Sequence, residues 1–281
     1  MIGFPPWRSD VRSRRADAVV TGAGSGIGRA FAAELAARGG RVVCSDVDAR
    51  TARATADDIT AAGGHATAVH CDVSRLDDVA ELAEQAQLFF GGPPTLVVNN
   101  AGIGAGGHSI GDIGCKTWES VLGVNLWGPI HGCEVFAPIL RDAGPDRPRG
   151  IVNVASAAAF GAAPGMAAYN VSKAGVLSLS ETLAAEMSGT GIGVTALCPT
   201  FVKTNILDSG AITEEATALA SRLMRWTGLS AERVARMCLD THDRGGLYCL
   251  PQLDARVGWH AKRLAPQLYT RAIGFTRAGL T

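Results

Sequence analysis

Tyr169 and Lys173 stand four residues apart in "AYNVSKAG", in a run otherwise made of small residues. That spacing is one helical turn, so both side chains share a face. Lowering a tyrosine pKa from about 10 to near 7 needs roughly 4 kcal/mol. An ammonium about 4 Å away, at an effective dielectric near 20, supplies on the order of 4 kcal/mol. A phenol tuned in this way is a general acid or base for a carbonyl or alcohol oxygen.

A second group of residues has the types that hold a dinucleotide. "TGAGSGIG", Thr21 to Gly28, follows the apolar run "ADAVV" and opens the periodic run "IGRAFAAELAARGG". Glycines at a strand-to-helix turn let backbone amides and the helix N-terminus approach a pyrophosphate. Gly22, Ser25, Gly26, Ile27 and Gly28 are therefore candidate cofactor contacts. Asp46 ends the second apolar run, eighteen residues after Gly28. A carboxylate there accepts hydrogen bonds from an adenosine ribose and repels the extra phosphate of NADP. No lysine or arginine interrupts "GAGSG", so the expected cofactor is NAD. Asp72 and Val73 in "CDV", and Asn99, Ala101 and Gly102 in "NNAG", end further strands. Asp72 is positioned for an adenine amino group, and the small residues of "NNAG" let a cofactor lie close to the sheet. Taken singly, each is equally a tight turn or a residue tying strands together.

These residues need a scaffold, and the hydrophobic pattern describes one. Strand-like runs ("ADAVVT", "RVVCSD", "ATAVH", "TLVVNN", "GIVNVAS", "GVTALC") alternate with helical ones around 75–90, 117–140 and 167–187. This alternation predicts an α/β fold, a doubly wound parallel sheet in one domain over residues 16–250. From Thr204 the alternation stops, and residues 205–240 read as helices, a candidate substrate lid beyond a strand's carboxyl end. Residues 1–15 read as a loose basic arm. Residues 251–281 interleave Arg256, His260, Lys262, Arg263 and Arg271 with Val257, Trp259, Leu264, Leu268 and Tyr269. Such a basic amphipathic extension suits either a membrane surface or packing on its own domain.

Composition narrows the function classes. With 47% hydrophobic and 19% charged residues the chain is not disordered. Its 26 basic residues balance 26 acidic ones, so no global field draws it to nucleic acid. Seven scattered cysteines without a C-x-x-C pair argue against a metal site or a disulfide framework and for reduced thiols in the cytoplasm. No uninterrupted apolar run is long enough for a membrane span, and none of signal-peptide length stands at the start.

The motifs "TGAGSGIG", "NNAG", Asn125 in "VNLWG", Ser156 ending "IVNVAS", "YNVSK" thirteen residues later and "CPTFVKT" occur in order. Over roughly residues 16 to 205 this set resembles the short-chain dehydrogenase/reductase family. The resemblance implies a Rossmann fold, a nicotinamide cofactor and a catalytic set of Asn125, Ser156, Tyr169 and Lys173. It implies that Lys173 also holds the ribose hydroxyls, that Ser156 donates to the developing alkoxide, and that Asn125 holds a water linking Lys173 to solvent. Pro199, Val202 and Thr204 fall where it puts nicotinamide contacts. Thr200 departs from the family's usual glycine, and the chain lacks the family's glycine-rich ending. The small residues of "AAAFGAAPGM", with Ile206, Leu207, Leu223, Met224 and Trp226, suit a hydrophobic secondary alcohol or ketone. The other reading is a dinucleotide sensor or scaffold without turnover. A homodimer through the helix bearing Tyr169 is expected, and the altered terminus counts against a tetramer.

Overall fold

Runs such as Asp17–Thr21 and Arg149–Val154 are buried at every position, the pattern of strands covered on both faces. The computed structural model describes residues 11–278 except 205 and 207–209. Its strands are β1 (Asp17–Thr21), β2 (Arg41–Asp46), β3 (His65–His70), β4 (Leu96–Asn99), β5 (Gly104–Gly106), β6 (Arg149–Val154), β7 (Ile192–Leu197), β8 (Val202–Lys203), β9 (Gly210–Ile212), β10 (Leu229–Ser230) and β11 (Tyr248–Cys249). The main sheet is parallel, in the order β11-β7-β6-β4-β1-β2-β3. The chain leaves β1 in opposite directions toward β2 and β4, which opens a crevice beyond their carboxyl ends. The expected doubly wound Rossmann sheet is present.

The helices are α1 (Gly26–Ala37), α2 (Ala49–Ala61), α3 (Leu76–Phe90), α4 (Cys115–Leu122), α5 (Gly128–Asp142), α6 (Ala158–Gly161), α7 (Ala167–Glu186), α8 (Glu214–Thr227), α9 (Ala231–Asp243), α10 (Leu253–Leu264) and α11 (Pro266–Ala278). One face of the sheet packs Phe31 and Leu35 of α1 with Val234 and Leu239 of α9. The other packs Leu82 of α3, Phe136 and Leu140 of α5 and Leu183 of α7. The helical run expected at 117–140 is broken by a π turn over Gly123–Trp127.

Two expectations need correcting. The candidate lid over 205–240 is too long, because Val234, Ala235, Cys238 and Leu239 of α9 are fully buried against the sheet. This helix is the crossover from β7 to β11, whereas Ile212, Thr213, Ala216, Ala220 and Met224, before it, line the crevice. Nor is the whole of residues 1–15 a loose arm, although residues 1–10 lie outside the described residues. Ser13 is fully buried, its amide and hydroxyl donate to Asp243 at 2.8 and 2.7 Å, and Arg38 bridges Ser13, Asp240 and Asp243.

Beside this anchor the His242 ring is wholly buried. Its Nδ1 is 2.9 Å from the Thr195 hydroxyl, and its Nε2 has no partner. Burial, with Arg12 nearby, lowers its pKa from 6.5 to about 3. The unfolded chain takes up this proton between pH 6.5 and about 3 while the folded one does not, so stability falls as pH drops through that window. Gly150 makes room for the ring, since a Cβ there would overlap the imidazole and lie 2.9 Å from the Gly193 carbonyl oxygen. Gly150→Ala is expected to cost about 2–3 kcal/mol of stability, read as a lower urea midpoint. Gly92→Ala, where a Cβ meets nothing within 4 Å, is the near-neutral control.

Candidate active site

The crevice is one cleft of about 1970 Å³, more than the several hundred Å³ a small ligand fills. Gly22, Ser25, Gly26, Ile27, Asp46, Asp72, Val73, Ala101 and Gly102 line one end, and Ser156, Tyr169, Lys173, Pro199, Val202 and Thr204 line the middle. The glycine loop is built for close approach. Gly22 has φ +63°, and a Cβ there would lie 2.8 Å from the Ala101 Cα, while one on Gly26 (φ +52°) would meet Thr204 Cγ2 at 3.0 Å. Asp46 accepts from the Gly24 amide at 2.9 Å and the Asp48 amide at 3.0 Å, so it also shapes the loop. This cradle of bare backbone, with a carboxylate at the end of β2, fits a dinucleotide.

Three expected positions lie off the cleft wall. Gly28 packs directly against the Gly22 carbonyl, so it serves helix–strand contact. Asn99 is buried and donates to Asn153 Oδ1 at 2.8 Å. Its neighbour Asn100 lines the cleft instead, with Nδ2 donating to the Thr21 carbonyl at 2.8 Å. The period-2 alternation of a strand sends adjacent side chains to opposite sides, a signal in "NNAG" that favours one of the two asparagines. Asn125, fully buried in the π turn, accepts from the Ile103 amide and donates to the Ile103 carbonyl, both at 2.8 Å. Both ends of its amide hold the segment after β4.

Tyr169 and Lys173 share the cleft-facing side of α7, and Ser156 follows β6. Lys173 Nζ donates to the Val154 carbonyl at 2.9 Å and lies 5.8 Å from the Tyr169 ring centroid. Burial lowers the Lys173 pKa from 10.5 to about 8. Burial also pushes the Tyr169 phenol above its ordinary value, against the opposing pull of a hydrogen bond with Ser156. The ammonium is aimed at a strand-end carbonyl, and desolvation is the larger influence on the phenol. At rest Tyr169 is a protonated donor.

Thr200, which stands where a glycine was expected, has its amide donating to Gln252 Oε1 at 3.1 Å and its hydroxyl to Asp254 Oδ1 at 3.2 Å. Gln252 Nε2 donates to the Phe201 carbonyl at 2.9 Å. The start of the carboxyl-terminal extension thus clamps the loop that carries Val202 and Thr204. Beyond packing on the domain, the extension contributes to the site: Ala255, Gly258, Tyr269 and Ile273 line the cleft, as do Ile206 and Met224. Tyr269 is held by a 3.4 Å hydrogen bond to the Gly161 carbonyl, and Trp259 packs edge-on against Phe160. Leu207 and the side chains of Leu223 and Trp226 lie outside the described residues.

The family model described as short chain dehydrogenase matches residues 16–215. A probable oxidoreductase of Mycobacterium tuberculosis, EphD, is 42% identical over 188 residues, 67% of this chain and 31% of that protein, so the chain spans about a third of that relative's length. The 1-deoxy-11-beta-hydroxypentalenate dehydrogenase of Streptomyces exfoliatus is 35% identical over 243 residues, 85% of this chain and 84% of that one. The crystal structure of a short chain dehydrogenase/reductase from Burkholderia phymatum in complex with NAD superposes with a TM-score of 0.78 at 36% identity, covering 88% of this chain and 94% of that one.

The buried ammonium generates a stability prediction. Between pH 8 and 10.5 the unfolded chain holds the Lys173 proton that the folded chain has lost, so stability rises with pH there and is lowest below 8. Lys173→Met is expected to stabilise the cofactor-free protein at pH 7 by on the order of 1–3 kcal/mol. In thermal melts that gain shrinks toward pH 10; a variant less stable than the parent at pH 7 contradicts it.

Proposed function

The chain belongs to the short-chain dehydrogenase family, and on that premise we propose that it is an oxidoreductase moving a hydride between NAD and a hydrophobic secondary alcohol or ketone. The observation carrying this reading is the meeting of Ser156, Tyr169 and Lys173 in the same cleft as the glycine loop and Asp46. Bound nicotinamide supplies the hydride carrier and, when oxidised, a positive charge. Tyr169, protonated at rest, donates its proton to the substrate oxygen in reduction and recovers it in oxidation. Ser156 donates to the same oxygen as negative charge develops. Lys173 turns from the Val154 carbonyl toward the ribose hydroxyls and favours the phenolate. Asn125 keeps the loop after β4 in register, and protons reach Lys173 through the same π turn.

Asp46 supports NAD over NADP. A ribose phosphate there faces Asp46 and Asp48, and Arg50 is already paired with Asp48 at 3.0 Å. The small, apolar side of the cleft, with Ala157, Phe160, Met166 and Ile206, supports an apolar substrate. The six buried cysteines, four with thiols raised to about 12 by burial, fit a reducing compartment such as the cytoplasm. Val171 on α7 and Trp127 are half exposed, in keeping with a dimer through α7.

The test is NADH formation with a panel of hydrophobic secondary alcohols. Tyr169→Phe is expected to lower kcat about 10²- to 10⁴-fold while the dissociation constant for NAD changes little. Binding of NAD without turnover on any alcohol supports a dinucleotide sensor instead. Fluorescence titration is expected to give NAD at least about tenfold tighter binding than NADP. Equal affinities contradict the role given to Asp46.

A further inference from the structure

Helix α10 buries Ala255 and Trp259 against the domain. On its opposite side Leu253, Val257 and Leu264, at spacings of four and seven, are 75%, 60% and 85% exposed. Helix α11 repeats the arrangement: Tyr269 and Ile273 line the cleft, while Leu268 and Phe275, seven apart, are 70% and 76% exposed. A helix packed on one side ordinarily shows a polar face on the other. A contiguous run of large exposed apolar side chains marks an interaction surface.

Charge identifies the occupant. Residues 253–278 hold one acid, Asp254, against Arg256, Lys262, Arg263, Arg271 and Arg277, in a chain whose formal net charge is zero. Asp254 lies beside Thr200 and Arg263 is 3.9 Å from Glu181, which leaves Arg256, Lys262 and Arg271 as cations in excess. A second copy presenting the same face brings like charges together, whereas an anionic lipid surface attracts the cations and accepts the apolar stripe. Among the described residues no helix is long and apolar enough to cross a membrane, and two short helices lying flat need none.

We propose that α10 and α11 dock this protein on an anionic bilayer surface, with Leu253, Val257, Leu264, Leu268 and Phe275 entering the headgroup–acyl boundary. The same two helices wall the cleft, so docking sets its mouth beside the lipid. The corollary, that an apolar substrate enters from the bilayer, rests on the function proposed above; docking itself does not.

Vesicle co-sedimentation of the full chain separates the two, because it requires no turnover. Wild-type protein is expected to pellet with phosphatidylglycerol vesicles, to stay in the supernatant with phosphatidylcholine vesicles, and to be released by about 0.5 M salt. Leu253→Glu/Val257→Glu/Leu264→Glu and, separately, Lys262→Glu/Arg271→Glu are each expected to weaken binding about tenfold or more. Unchanged melting and NAD affinity certify their fold. Wild-type protein that stays in the supernatant with anionic vesicles overturns the proposal, as does binding that both variants retain. Failure to sediment, together with an oligomer that the triple variant dissociates in size-exclusion chromatography, assigns the face to contact between copies instead.

Discussion

The close contact between the loops after β1 and β4 is the constraint on which the rest of the site depends. Asn100 donates to the carbonyls of Thr21 and Gly22, and the Thr21 hydroxyl accepts from the amides of Asn100 and Ala101. These bonds bring two backbones close enough that a Cβ on Gly22 cannot be accommodated. The bare floor that results is the reason a flat cofactor can lie against the carboxyl ends of the strands. Asp46 closes the third side by holding the Gly24 amide. Polar groups that line the cleft here are thus also the groups that build it.

At the reacting end the fold accepts a cost. Lys173 is almost fully buried, and its ammonium donates to the Val154 carbonyl. Desolvation holds its pKa near 8 and raises that of Tyr169. Burial is thus the larger influence on both members of the pair. A site arranged in this way keeps the phenol protonated.

The carboxyl-terminal extension connects two features that look unrelated along the chain. Thr200, in the loop that carries Val202 and Thr204, and the unusual ending meet through Gln252 and Asp254. Beyond that clamp, Trp259 packs edge-on against Phe160 and carries Arg263 over its ring, 3.1 Å from the centroid. The segment that departs most from the family pattern is thereby part of the cleft wall.

Much of the architecture was legible in the sequence by itself. The alternation of apolar runs, the glycine turn, the acid ending β2 and the Tyr169–Lys173 spacing are local properties, and periods of 2 and 3.6 are written into the backbone of each element. Only the tertiary structure decided where polar side chains spend their hydrogen bonds. Asn99 turned inward to Asn153 while Asn100 faced the cleft, Asn125 gripped Ile103, Lys173 reached Val154, and Ser13 found Asp243 across most of the chain. Only tertiary structure, too, removed α9 from the lid by burying it beside α1. The physical reason is that local periodicity selects an element and its inner face. Desolvation and hydrogen-bond partnership depend on what other elements pack against that face, and those lie far away in sequence.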